Sequence, residues 1–529
     1  MLKWLENAVL YEIYPTSFYD SNGDGIGDLN GIAEKADYIK SLGVDAVWLN
    51  PIYKSPFKDG GYDVSDYLEI DKKFGTMDDL KNLIKVFKER GIKILLDLVV
   101  GHTSDKHKWF KKSACAKRNE YWDYYVWTDT IFRSYPGVIR GLYYRDGGYL
   151  PNYYASQPAL NFGFAEEDPA HPWMIHYKDE RLKPLREEFL NIMRYYFDMG
   201  IEGFRVDMAS SVVKGGAAHF DENNPFDDST EGLDGVIWWW NEVLTTLRKE
   251  YKDKLFIAEW VVPQRSIGMC GFDMDFLTHD TFAFNSLYRY EKGCNLGDSD
   301  YYVKGDNYFS PNGKGSLDKF VEYAEYLYSR VGDKGMFTTP TGTHDEVRMP
   351  TNKSPDLIKT IFAFMLTYKQ VPFVYYGDEI GLEHNFNISK DGGGVRTGAR
   401  TPMQWTEAKG RGFTTKKTAY LPTSDKVNQS VEAQENDENS ILNTVRDLIK
   451  IRKTYPALNV SSEQKFIEKG YPAVYERTNG DQTVIILLNP ADKEVKRNIK
   501  YSKVIKAQNA AICGEEILLK GQSFAILLK

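Results

Sequence analysis

Short apolar runs alternate with amphipathic stretches of helical period over most of the chain, and glycine stands at three of the junctions. Leu42-Gly43-Val44, Arg90-Gly91-Ile92 and Met199-Gly200-Ile201 each close a helix with a glycine and open an apolar strand at once. The helix before Gly91 repeats Leu80, Leu83, Ile84 and Phe87 on one face, and Thr76 with Asp79 reads as a capping box at its start. The helix before Gly200 begins at Pro184 and turns Phe189, Ile192, Met193 and Tyr196 inward. Eight segments predict strands: Val9–Tyr14, Ala46–Leu49, Ile92–Val100, Gly203–Asp207, Leu255–Ala258, the stretch around Phe272–Asp275, Met336–Thr339 and Val371–Tyr376. Strands apolar on both faces that alternate with helices mean a parallel sheet, and eight of them predict a closed (β/α)8 TIM barrel.

Two regions break this rhythm. Residues 104–175 fall between the third strand and its helix and are dense in aromatics (Tyr121-Trp122-Asp123-Tyr124-Tyr125-Val126-Trp127), which predicts an inserted subdomain. From 457 onward β-prone runs such as Thr483–Leu488 and Ser523–Leu528 alternate with turns and predict a C-terminal antiparallel β-sandwich. The expected division is a barrel over 1–103 and 176–456, an insert over 104–175 and a terminal module over 457–529, and 529 residues suit it.

Charge and cysteine usage narrow the function classes. The net charge of −8 is spread over interspersed acids and bases, so no basic stripe points to nucleic acid or an anionic membrane. No apolar run reaches the roughly 18 residues of a membrane span, and Met1-Leu-Lys-Trp-Leu-Glu has no apolar signal core. The expected location is the cytoplasm. Cys115, Cys270, Cys294 and Cys513 follow no zinc or redox spacing and read as reduced, structural residues.

The loop Asp20-Ser21-Asn22-Gly23-Asp24-Gly25-Ile26-Gly27-Asp28 sets oxygen side chains at alternate positions. Asp20, Asn22 and Asp24, the Ile26 carbonyl and Asp28 match the first half of a calcium loop, although Gly31 stands where an EF-hand needs its glutamate. A structural calcium site, with magnesium as the other ion, is one reading; a solvated loop of Asx turns is the other.

Ionisable residues collect where predicted strands end, the face on which such barrels do chemistry. Asp63 follows the second strand, Asp97 and His102 close the third, Arg205 and Asp207 the fourth, Glu259 the fifth, and His344 with Asp345 the seventh. In Gly203-Phe204-Arg205-Val206-Asp207, residues two apart share a side, so Arg205 and Asp207 point together and the guanidinium favours an ionised carboxylate. A structural ion pair is the bland reading of that motif taken alone. Paired carboxylates suit acetal cleavage: one attacks or stabilises an oxocarbenium centre while the other, protonated, donates to the leaving oxygen. Asp207 fits the first role. Glu259, beside Trp260 and near the Asp207 charge, fits the acid that later acts as base. Asp345 is a third carboxylate, and His102 and His344 are expected donors to sugar hydroxyls.

These motifs resemble the α-amylase family of glycoside hydrolases (family 13) over about the first 455 residues and, more loosely, the β tail. The resemblance rests on Asp97-Leu-Val-Val-Gly-His102, Gly203-Phe-Arg-Val-Asp207, Ala258-Glu259, Thr343-His344-Asp345 and Tyr375-Tyr376-Gly377-Asp378-Glu379. It implies Asp207 as nucleophile, Glu259 as general acid/base and Asp345 as transition-state stabiliser, with Tyr62, His102, Arg205 and His344 lining the subsite of the reacting glucose. It also matches the Asp20–Asp28 loop to a calcium site of the family's oligosaccharide-cleaving members.

Arg400-Thr-Pro-Met-Gln-Trp405 resembles a stretch of oligo-1,6-glucosidases, trehalose synthases and related exo-acting enzymes. There an arginine matching Arg400 pairs with an aspartate matching Asp63 and closes the pocket behind one terminal sugar; an exposed loop arginine is the plain alternative. The chain departs from the family at Gly101 and Thr343, where asparagine usually precedes the two histidines, at Ala159 in Gln157-Pro-Ala-Leu-Asn161, and at Met208. The expectation is a retaining, exo-acting α-glucosidase of short α-glucosides, with oligosaccharide as its small-molecule partner and oligomeric state open. Two rivals stand beside it: a transglycosylase or sugar isomerase using the same intermediate, and a non-catalytic family member.

Overall fold

The glycine junctions form in the computed structural model, which describes residues 1–215, 233–278, 287–288 and 307–529. Gly43, Gly91 and Gly200 have φ of 87°, 69° and 113°, the left-handed turn that ends a helix without a Cβ penalty. Helix Met77–Glu89 opens on the expected reciprocal cap: the Thr76 amide donates to Asp79 at 2.7 Å and the Asp79 amide to the Thr76 hydroxyl at 3.3 Å. Helix Lys183–Met199 carries its proline in the first turn.

The eight strands of the barrel are β1 (Leu10–Ile13), β2 (Ala46–Leu49), β3 (Lys93–Val99), β4 (Gly203–Asp207), β5 (Leu255–Ala258), β6 (Met274–Phe276), β7 (Met336–Thr338) and β8 (Phe373–Tyr375). They form one sheet in the order β7-β6-β5-β4-β3-β2-β1-β8. The Thr341 amide donates to the Phe373 carbonyl at 3.0 Å, tying the end of β7 to β8. Strands β1, β2 and β5 are buried at every residue, which is why they read as unbroken apolar runs.

Register sets up the chemistry. Asp97 of β3 lies opposite Arg205 of β4, and Val99 opposite Asp207. Val206 lies opposite Ala258 of β5, so Glu259 leaves β5 beside Asp207. A Cβ on Gly203 would sit 2.2 Å from the Leu255 carbonyl, so glycine is what lets β4 approach β5 this closely.

The chain divides into two compact units, Met1–Val47 with Lys85–Lys93 and Phe276–Lys529, and Trp48–Ile84 with Ile94–Asp275. Within the second, the inserted stretch has its own apolar cluster of Val126, Tyr135, Leu150, Ala159, Phe164, Trp173 and Met174. Within the first, β9 (Glu463–Lys469), β10 (Ala473–Asn479), β11 (Gln482–Asn489), β12 (Val495–Asn498), β13 (Lys503–Cys513) and β14 (Glu516–Leu528) make the terminal module. The expected sandwich is one continuous antiparallel sheet. Strand β14 pairs with β12 through Glu516–Leu519 and with β11 through Ser523–Leu528, and it turns between the two at Gln522, whose φ is 53°. Ile517 and Leu519 before that turn and Ala525 and Leu527 after it share one core.

Among the described residues no helix is long and apolar enough to cross a membrane. Cys115, Cys270 and Cys513 are free thiols; Cys294 lies outside the described residues.

Candidate active site

One guanidinium organises the second unit's strand ends. Nη1 of Arg205 donates to both oxygens of Asp97 (2.9 and 3.1 Å) and to Oδ1 of Asp207 (2.9 Å), and Nη2 lies 2.6 Å from Oε1 of Glu259. The Tyr62 hydroxyl donates to Asp97 at 2.8 Å and accepts from Asn50 at 3.1 Å. Arg205 is buried, with its guanidinium carbon 4.9 Å from the Trp48 ring centre. Burial opposes its charge, yet Asp97 and Glu259 lead the groups that raise its pKa well above the ordinary value. Only a planar fork holds several carboxylates at once.

Asp207 and Glu259 therefore stand together, but the Asp207 carboxyl differs from the reading of the sequence. Burial, followed by the charge of Glu259, pushes the Asp207 carboxyl well above the aspartate range, and Arg205 only partly offsets this. Glu259 accepts at both oxygens, from Arg205 and, at 2.9 Å, from the Met208 amide. Met208 has φ 42° and ψ 52°, a left-handed turn that is uncommon without glycine and that accompanies this bond.

A buried carboxylate supports the loop after Glu259. Asp275 of β6 accepts from the amides of Trp260, Val261 and Val262, each at 3.1 Å, and from the Ser266 hydroxyl at 2.6 Å. Its signal in the sequence is an acid inside an otherwise apolar strand.

His102 is buried, and burial lowers its pKa to about 4. Its Nε2 meets the Tyr62 carbonyl at 3.2 Å and its Nδ1 meets the Asn152 amide nitrogen at 3.1 Å. Both ring nitrogens thus bond to protein.

In the first unit His344 and Asp345 follow β7. Nδ1 of His344 lies 2.8 Å from Glu12 of β1, and Nε2 lies 2.9 Å from Asp345. Burial lowers the pKa of His344, but Asp345 and Glu12 more than reverse this and hold it at about 9. Asp345 also receives Arg396 at 2.9 Å and Arg400 at 2.7 Å. His344 and these arginines overcome burial and hold its carboxyl well below the usual range. The Asp345 amide bonds to the Thr343 hydroxyl at 3.2 Å, so threonine supplies an acceptor at that departure from the family.

Asp63 is fully buried and accepts from the Ser55 hydroxyl (2.9 Å) and the amides of Lys58 (2.9 Å) and Asp59 (3.2 Å), which fold its own loop around it. Arg400 donates to Asp345 and, at 2.9 Å, to the His344 carbonyl. Reading the sequence missed Glu12, Arg396 and Asn152. Of these only Glu12 carried a signal, as a charge within an apolar strand.

The aspartate loop precedes helix Leu29–Glu34, whose N-cap is Asp28, accepting from Gly31 at 2.7 Å. Asp20 accepts from the amides of Gly23 (2.8 Å) and Gly25 (2.7 Å) and from Thr414; Asn22 caps Asp24 and Asp24 caps Ile26. All five donors proposed from the sequence are oxygens, which suits a hard divalent ion. Among the described residues no three His, Cys, Asp or Glu side chains stand close enough to cage a metal. A cation here would draw on Asn22 and the Ile26 carbonyl as well as the aspartates.

Comparison with known proteins agrees with this geometry. The family model "Alpha amylase, catalytic domain" matches residues 12–461. An oligo-1,6-glucosidase of Parageobacillus thermoglucosidasius is 30% identical, over 93% of this chain and 91% of its own. A "Trehalose synthase/amylase TreS" of Mycolicibacterium smegmatis is 29% identical, over 87% of this chain and 78% of its own. Among solved structures, an isomaltulose synthase variant of Erwinia rhapontici NX5 with D-glucose superposes with a TM-score of 0.81 at 26% identity, covering 100% of this chain and 99% of that one. With its eight-stranded barrel and its Asp97-Arg205-Asp207-Glu259 cluster, this chain belongs to the α-amylase family of glycoside hydrolases, glycoside hydrolase family 13.

Proposed function

We propose that the chain is a retaining, exo-acting α-glucosidase that removes terminal α-glucosyl residues from short α-glucosides. The observation that carries this is the single guanidinium bonded to both Asp207 and Glu259. Two carboxylates on one fork lie within a few ångströms, the arrangement of retaining enzymes, where about 5 Å separates nucleophile and acid. Asp207 attacks the anomeric carbon while Glu259 gives its proton to the leaving oxygen. Water then loses a proton to Glu259 and attacks the same carbon, and Asp207 leaves. Asp345, Tyr62, His102, Arg205, His344 and Arg400 take the family's stabilising and binding roles. Exo action is supported by the oligo-1,6-glucosidase relatives.

The test is a panel of maltose, isomaltose, sucrose and trehalose followed by NMR of the released anomers. Early α-glucose supports double displacement; early β-glucose refutes it. The TreS relative and the isomaltulose synthase structure favour a second reading, in which a sugar rather than water takes the glucosyl group. A disaccharide isomer accumulating without matching glucose would select it. If Asp207→Asn retained wild-type hydrolysis, the nucleophile would be misassigned.

Calcium at Asp20, Asn22, Asp24, Ile26 and Asp28, with magnesium as its rival, is supported by the all-oxygen donor set. One ion per purified chain and a lower Tm in EDTA are expected; metal-free protein with an unchanged Tm removes the assignment. A cytoplasmic location fits the free Cys115, Cys270 and Cys513, and cell fractionation checks it.

A further inference from the structure

Gly101 and Asn152 occupy one space. A Cβ built on Gly101 would lie 2.7 Å from Nδ2 of Asn152 and 2.7 Å from Oγ of Ser211, closer than Cβ contacts come. The volume that a side chain at 101 would fill is thus taken by an amide from the inserted stretch. That amide points its nitrogen at Nδ1 of His102, the next residue, at 3.1 Å. On the other side of the ring, Nε2 faces the Tyr62 carbonyl at 3.2 Å. A carbonyl only accepts, so Nε2 carries the hydrogen and Nδ1 of the neutral ring needs a donor. Turning the amide over would set two acceptors against each other, so the Tyr62 carbonyl decides both the tautomer and the amide's orientation.

The other end of the amide shows what it is there for. Oδ1 of Asn152 is buried and bonds to nothing in the structure, on a residue only 6% exposed. A buried acceptor left unpaired is destabilising. A residue retained for stability alone would be better apolar.

We propose that Asn152 is a positioning residue that holds His102 as its Nε2–H tautomer, and that position 101 is glycine so that this amide can reach the ring. It acts through His102, and its activity readout rests on the glycosidase reading above. The experiment joins two measurements on Asn152→Leu, Gly101→Ala and their double variant: 15N imidazole spectra of the sugar-free protein, and kcat/KM on the best α-glucoside. Leucine keeps the volume and removes the donor, so the Tm should hold or rise while the Nδ1 signal of His102 shifts and kcat/KM falls roughly 10- to 100-fold. An added methyl at 101 pushes the amide off Nδ1, so Gly101→Ala should reproduce both changes yet add nothing in the Asn152→Leu background.

Unchanged ring-nitrogen shifts in Asn152→Leu, or effects of the two substitutions that simply add, would overturn the proposal. A loss of activity matched by an equal loss of Tm, with the tautomer intact, would make Asn152 merely structural. If the spectra behave as expected but the wild type cleaves no α-glucoside, the functional reading fails and the positioning role stands.

Discussion

Raising the pH from 6 to 9.5 should remove a stabilising charge from the first unit. His344 lies between two carboxylates, 2.8 Å from Glu12 and 2.9 Å from Asp345, with its side chain 1% exposed. Burial lowers its pKa, and Asp345 and Glu12 then raise it to about 9, against an ordinary 6.5. The folded value lies above the unfolded one, so the stabilisation is complete below pH 6.5 and disappears as pH rises through 9. At 1.36 kcal/mol per pH unit the interval is worth about 3 kcal/mol. With roughly 2.1 cal/mol/K of unfolding entropy per residue, that moves Tm by about 3 °C for a chain of this size. The assay is thermal unfolding of wild type and His344→Gln across the range. The wild type should lose about 3 °C relative to the variant between pH 6 and 9.5, and Glu12→Gln should bring the midpoint of the loss down. A difference between wild type and His344→Gln that stays flat with pH would mean that His344 is not the titrating group, and the charged bridge would be refuted.

Arg205→Lys keeps the charge but cannot hold Asp97, Asp207 and Glu259 at once; kcat/KM should fall at least 10²-fold, and near-wild-type turnover would show the fork to be dispensable. Asp275→Asn turns one accepting oxygen into a donor beneath Trp260, Val261, Val262 and Ser266. At about 1 kcal/mol per bond lost, kcat should drop roughly 10- to 30-fold with little change in KM, and an unchanged kcat would remove Asp275 from the support of Glu259. The pH profile of kcat/KM should be bell-shaped, because the Asp207/Glu259 pair works with one proton. Its acid limb should lie above the 3.8 of an ordinary aspartate, since Asp207 is raised; a limb at or below that value would contradict the resting electrostatics.

The barrel was legible because its strands are short and buried on both faces, and because glycines at 43, 91 and 200 punctuate the helices. Arg205 and Asp207 were legible for a related reason: a two-residue period on one strand states which side chains share a side. Partners on other strands were not. Nothing local to Glu12 or Arg396 says that they reach His344 and Asp345, since those meetings depend on which strands adjoin. Asp63 takes its donors from within its own loop, at Ser55, Lys58 and Asp59, bonds that no period along the chain marks. The terminal sandwich was legible because alternation fixes which residues face inward; that a strand as long as β14 serves both halves through one turn was not.

The charge count at Arg205 explains why the Asp207 carboxyl is raised. Three carboxylates meet a single cation, and two unit charges 4 Å apart interact by about 4 kcal/mol at an effective dielectric of 20. Asp97 takes two bonds from the guanidinium and one from Tyr62, and Glu259 takes one from the guanidinium and one from Met208. Asp207 has a single bond from Arg205, and burial and the charge of Glu259 push its carboxyl well above the aspartate range. On the function proposed above Asp207 attacks as the ionised carboxylate, so contacts that tighten the hold of Arg205 on it stabilise the attacking form, and that gain appears in kcat rather than in KM.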